Sequence, residues 1–189
     1  MCLGHRLRRQ PSPPVDGPTR GKRSGHTVGC GLHSRRHHTC QSHKSGTAAI
    51  TDVPVIRWQV NSTYSDVVKV GPILTGIPAN AGRHNGCRLL FDGGRLLYVA
   101  TGDAAVGTYP QDRSSLAGKV LRITRDGQAA PGNPFITSPD PDTQKIFTLG
   151  HRNPQGLALQ PGTGRVWSVE QSTGRDDEIN LLIPGGNYG

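Results

Sequence analysis

The spacing of apolar and polar positions divides the chain at about residue 50. Beyond it, short apolar stretches recur between turn residues at intervals near ten. Positions 55–60 alternate, with Ile56, Trp58 and Val60 on one face and Arg57 and Gln59 on the other. That period of two is the signature of a strand with unlike faces. Further β-rich pieces lie at 66–70, 72–74, 88–91, 96–101, 119–124, 145–149, 156–159, 166–170 and 178–183. Asp92-Gly93-Gly94 between two of them predicts a hairpin, and Asp126-Gly127 a further turn. No stretch of ten or more residues carries an amphipathic helical period. The pattern predicts an all-β sandwich, barrel or propeller.

Weak self-similarity favours a propeller. The segments beginning at Gly86 and Pro154 share a plan: a turn of small residues, an apolar strand, a Gly turn, and a second apolar strand ending in polar groups. Repeats of this kind mark stacked supersecondary units. At about 40–50 residues per blade, positions 51–189 make about three blades, where closed propellers usually have four to eight.

Positions 1–50 follow neither period. Their large apolar residues, Leu3, Leu7, Val15, Val28, Leu32 and Ile50, are scattered. Such a segment cannot bury enough surface to offset its ordering entropy, so disorder is the expectation. Composition sets it apart as well. It holds 9 of the 22 Lys and Arg residues and one acid, Asp16, so it carries most of the formal charge of +9. The rest of the chain is close to neutral. Phosphate binding would suit the basic residues, but no aromatic side chain is present to stack on bases, and we expect no nucleic-acid partner. Cys30, His33, His37, His38, Cys40 and His43 are zinc-ligand types in a spacing that matches no common finger. An Arg-rich, acid-poor arm also suits a transit peptide, whereas the continuous apolar stretch of a secretory signal is missing. A solvated tail is the plainer reading. An out-of-frame reading of GC-rich DNA would give the same mixture, and we favour it. The expected division is thus a disordered basic segment at 1–50 and a β domain at 51–189.

Composition excludes other classes. Gly 26 and Pro 15 make up more than a fifth of 189 residues, against a helical bundle. No apolar run approaches the 18 or so residues of a membrane-spanning helix. Of the four Cys, three lie before residue 50, leaving Cys87 without a dependable partner and the compartment undecided.

Specific motifs then narrow the reading. "RHNGCRLLF", "LYVATGD", "SLAGKVLRIT", "PGNPF", "GHRNPQGLA" and "DDEINLLIPGGNYG" occur in that order over 82–189. This stretch resembles the glucose/sorbosone dehydrogenase family. The resemblance implies a six-bladed β-propeller, of which this chain would be an incomplete fragment. It also implies oxidation of the C1 hydroxyl of aldose sugars by hydride transfer to pyrroloquinoline quinone, with calcium as a second cofactor. An electron acceptor for the reduced quinone, dimeric full-length members and a periplasmic or secreted location belong to the same implication. His84 matches the catalytic base and Asp103 the carboxylate that holds it. An imidazole is suited to general-base work near neutral pH, and a carboxylate fixes its tautomer and stabilises the imidazolium. Arg152, Asn153 and Gln171 match cofactor contacts, Arg152 also stabilising developing negative charge. His151 is expected to be structural.

The backbone carbonyls of Ser172 and Thr173 stand where the family has a Gly-Pro pair that ligates the quinone-bound calcium. Asp176, Asp177 and Glu178, with the Tyr188 carbonyl, resemble part of a second calcium site. Cys87 replaces a family Gly. A non-catalytic propeller that binds protein or carbohydrate, or an inactive relic, is the alternative function, because fold alone does not fix activity.

Overall fold

A computed structural model describes residues 25–33, 36–43, 51–79, 83–172 and 177–189. Among these described residues, eleven strands form three antiparallel sheets, each a meander in chain order. The first contains β1 (Gly25–His33), β2 (Arg36–His43), β3 (Val55–Val60) and β4 (Val67–Leu74). The second contains β5 (Cys87–Phe91), β6 (Leu97–Thr101), β7 (Lys119–Ile123) and β8 (Ile146–Leu149). The third contains β9 (Pro154–Leu159), β10 (Val166–Glu170) and β11 (Glu178–Leu181). The leading strands touch from sheet to sheet, β1 against β5 and β5 against β9, as the inner strands of propeller blades do. No described helix is long and apolar enough to cross a membrane.

The middle sheet shows why its strands read as continuous apolar runs. Every residue of β6 is buried. Alternate side chains leave opposite faces of a strand. Leu97 and Val99 enter one core with Val55, Leu74, Leu89 and Leu121, while Tyr98 and Ala100 enter another with Val120, Phe147, Leu157 and Val166. Tyr98 meets Phe147 edge to face at 5.2 Å between ring centres. A sheet covered on both sides has no polar face to alternate with. The flanking sheets each leave large apolar side chains exposed: Val67 and Val68 of the edge strand β4 with Tyr64 in the turn before it, and the cross-strand pair Val169 and Ile179.

Several expected elements change at their ends. The pieces at 66–70 and 72–74 join into β4, which takes up an irregularity near Gly71 at φ 145°. The run at 145–149 begins with a 3-10 turn, Thr143–Lys145, before β8. The hairpin after Phe91 forms as predicted, with the Asp92 side chain accepting the Leu96 N–H at 2.8 Å.

Two expectations are corrected. The segment 1–50 is not uniformly without structure, because β1 and β2 lie inside it and pair with the rest. Positions 1–24, 34–35 and 44–50 lie outside the described residues. The backbone of β2 completes the ladder along β3, from Arg36 opposite Gln59 to Cys40 opposite Val55. Backbone pairing needs no apolar period in the side chains, so the pattern could not announce it. The second correction concerns Cys87, which has a partner. It forms a disulfide with Cys40, 47 positions earlier, and both residues are buried. This link ties the first sheet to the leading strand of the second.

Candidate active site

The candidate residues gather where the second and third sheets begin. His84 precedes β5 and Asp103 follows β6. The β5–β6 hairpin pairs Cys87 with Thr101, so the two ends meet although 19 positions separate them. His84 Nδ1 lies 2.8 Å from Asp103 Oδ1, with the side chains 19% and 9% exposed. The network assigns the proton to Nδ1, because a carboxylate can only accept there. Asp103 Oδ1 also accepts the Ala105 N–H at 2.7 Å, closing a turn that holds the carboxylate in place.

Two glycines permit this closeness. A Cβ on Gly102 would stand 1.9 Å from the His84 carbonyl oxygen, and one on Gly86 would stand 2.5 Å from Asn153 Oδ1. His84 itself has φ 53°, and Ala104 and Ala105 follow at 55° and 59°. Left-handed backbone at three non-glycine residues is unfavourable and persists only where surrounding contacts impose it. The Gly102 N–H to Gly86 carbonyl bond, at 2.9 Å, and the Ala104 N–H to His84 carbonyl bond, at 3.2 Å, are such contacts.

Arg152 and Asn153 lie just before β9, and Arg152 reaches the dyad. Arg152 Nη2 is 2.9 Å from His84 Nε2, and with the proton on Nδ1 the guanidinium donates to the Nε2 lone pair. Its Nη1 donates to the carbonyls of Gln171 and Ser172 at 3.0 and 2.8 Å. Asn153 is buried; its Oδ1 accepts the Gly86 N–H and its Nδ2 donates to Gln171 Oε1, both at 3.1 Å. The side chains thus form two groups, His84–Asp103–Arg152 and Asn153–Gln171, and the permanently charged Arg152 guanidinium joins them through the Gln171 backbone carbonyl.

The calcium candidates do not gather in the same way. Thr173 and Asp176 lie outside the described residues. The Ser172 carbonyl accepts from Arg152, and the Ser172 N–H donates to Asp177 Oδ1 at 3.2 Å. Glu178 is exposed on β11 and accepts from Asn180 Nδ2. The Tyr188 ring stacks on His151 at 5.1 Å, and its hydroxyl donates to the Leu181 carbonyl. No group of three or more His, Cys, Asp and Glu residues placed to hold a metal occurs among the described residues. A cation on the Ser172 carbonyl would also meet the guanidinium already bonded there, so the described residues do not fit calcium as they stand.

Sequence reasoning missed Gly86, Gly102 and Glu170. Glu170 is buried at the end of β10, where one carboxylate oxygen accepts the backbone N–H groups of Arg152 and Asn153. A signal was available, because Glu170 follows His151 by the same 19 positions that separate Asp103 from His84.

Comparison with known proteins shows what the chain is similar to. The family described as glucose/sorbosone dehydrogenase matches residues 34–189, beginning inside the segment that composition set apart. Aldose sugar dehydrogenase YliI of Escherichia coli is 38% identical over 110 residues, covering 58% of this chain and 29% of that protein. Quinoprotein glucose dehydrogenase B of Acinetobacter calcoaceticus is 33% identical over 171 residues, covering 80% and 35%. Among solved structures, the PQQ-bound aldose sugar dehydrogenase of Streptomyces coelicolor superimposes with a TM-score of 0.74 at 32% identity, covering 87% of this chain and 48% of that one. The apo form of the soluble Escherichia coli aldose sugar dehydrogenase gives 0.71 at 30%, covering 82% and 45%. This chain thus spans about a third of the curated relatives and about half of the solved ones. The fold is that of a partial all-β propeller, and the chain belongs to the glucose/sorbosone dehydrogenase family.

Proposed function

We propose that this chain carries part of a quinone-dependent sugar dehydrogenase site, in which His84 takes the proton from the C1 hydroxyl of an aldose. The observation that carries the reading is the His84 ring, held at Nδ1 by Asp103 and met at Nε2 by Arg152. A base needs a free lone pair within reach of the proton and a partner that stabilises its charged form. Asp103 supplies the second requirement. Arg152 supplies the first conditionally, because its guanidinium occupies Nε2 until a better acceptor draws it away. Anionic oxygens of a quinone cofactor are such acceptors for a planar, permanently charged fork.

The residues present fit pyrroloquinoline quinone in donor chemistry: Arg152 offers its guanidinium and Gln171 its side-chain N–H groups, while buried Asn153 holds Gln171 by its Oε1. When bound, the quinone supplies the acceptor for the hydride leaving C1. Asp103 then holds the imidazolium, and Arg152 opposes the negative charge that develops beside it. Turnover also requires an electron acceptor outside this site. Calcium is implied only by the family resemblance, and because the described residues do not fit it no step is drawn through it.

The test is dye-linked aldose oxidation by the purified chain with pyrroloquinoline quinone added, beside His84→Ala and a fluorescence titration of quinone binding. Oxidation that requires the quinone and is lost in His84→Ala is the expected result. Quinone binding without oxidation would favour a non-catalytic propeller. No quinone binding by folded chain would overturn the proposal.

A further inference from the structure

A carboxylate removed from water needs partners that recover its lost hydration. Glu170 is 4% exposed, and its partners are specific. Oε2 lies 2.8 Å from Nδ1 of His151, while Oε1 accepts the N–H of Arg152 and, at 3.1 Å, the N–H of Asn153. His151 has no exposed surface, and its Nε2 lies 2.8 Å from Thr148 Oγ1. With Nδ1–H donating to Glu170 and the Thr148 hydroxyl donating to Nε2, a neutral ring is fully satisfied.

The His151–Glu170 pair repeats the geometry of His84–Asp103. Both join Nδ1 to a carboxylate oxygen at 2.8 Å across 19 positions. The pairs differ in what the carboxylate does next. Consecutive N–H groups in a regular strand point to opposite sides. Those of Arg152 and Asn153 converge on one oxygen, at the point where the β9–β10 register shifts between Val169 and Glu170. The Arg152 peptide is also gripped from its other end, its carbonyl accepting the Asp103 N–H at 2.7 Å. Its side chain then lands on His84 Nε2. One peptide therefore connects the buried pair to the proposed base.

We infer that Glu170, oriented by His151, is a positioning residue that sets Arg152 against His84. The inference rests on the quinone-site reading above. Its test is a double-mutant cycle in the full chain, with two readouts: fluorescence titration with pyrroloquinoline quinone, and nitrogen-15 NMR of the His84 ring without quinone. Glu170→Gln leaves a single acceptor oxygen for three donors. It is expected to weaken quinone binding about tenfold, the worth of roughly one charge-assisted hydrogen bond, and to move the His84 ring signal. Neither change recurs when the substitution is added to Arg152→Ala, because Glu170 acts through that residue. Glu170→Asp keeps the charge but draws it back by one methylene, and is expected to act in the same direction.

Equal effects in both backgrounds overturn the inference, as does an unmoved His84 signal in a folded variant. Failure of both variants to fold assigns Glu170 to folding and also overturns it. If the unsubstituted chain does not bind quinone, the quinone-site reading falls, and the ring signal alone then decides the positioning role.

Discussion

Lys119 is fully buried in β7, and its ammonium donates to the carbonyls of Tyr109 and Ala117 at 2.6 and 2.8 Å. Burial lowers its pKa from 10.5 to about 8, opposed weakly by the negative charge of Asp112. A neutral amine still has two N–H groups for the two carbonyls, so deprotonation forfeits neither bond. The folded chain therefore binds this proton less tightly than the unfolded chain does. Below about pH 8 both states hold the proton and the folded state bears the full penalty. Between about pH 8 and 10.5 only the unfolded state retains it, so stability rises with pH; above that window the penalty is gone. At about 1.4 kcal/mol per pKa unit, the gain across the window is about 3 kcal/mol. Urea unfolding at half-unit steps from pH 7.5 to 11, for the chain and for Lys119→Met, measures it. Taking the difference between the two proteins cancels other titrating groups. That difference is expected to change by about 3 kcal/mol in favour of the lysine protein as pH rises. A difference flat to within about 0.5 kcal/mol would refute the reasoning, showing that Lys119 is solvated in the folded chain.

Two further perturbations test the packing around the site. Reduction of Cys40–Cys87, or the double replacement by Ala, frees a loop of 47 positions in the unfolded chain, and loop-closure entropy puts the loss at about 4 kcal/mol. Denaturation with and without reductant measures it, and a change under about 1 kcal/mol would mean that the link constrains little. Gly102→Ala forces a Cβ to within 1.9 Å of the His84 carbonyl oxygen, so the strand ends must part. We expect a loss of about 2 kcal/mol in stability and at least about tenfold in quinone-dependent oxidation, whereas Gly93→Ala, with open space around it, changes neither.

Hairpin and strand positions were legible because their causes are local. The Asp92-Gly93-Gly94 turn and the apolar runs on either side need only their own residues to be recognised. The resemblance carried His84, Asp103, Arg152, Asn153 and Gln171, and the structure joins the first three by their side chains and reaches the other two through the Gln171 carbonyl. β1 and β2 were not legible. Backbone ladders hold them, and a ladder leaves no mark on the apolar period of the strand that joins it. The Cys40–Cys87 link was hidden for a related reason, since pairing depends on two strands from different sheets meeting.

The sequence by itself determined an all-β chain of repeated hairpins, with basic residues concentrated at one end and the side-chain types of a base and its carboxylate at hairpin spacing. Only the tertiary structure decided which faces were covered. Leu97 and Tyr98 are both apolar neighbours in β6, and the placement of a sheet on either side sends them into different cores. Only the tertiary structure placed the Arg152 guanidinium on His84 Nε2, 68 positions away, and put Glu170 beneath the Arg152 peptide. Local pattern fixes what a strand can be, because neighbouring residues share its backbone. Contacts between strands far apart in the chain depend on how the sheets stack, and that stacking sets the geometry of the site.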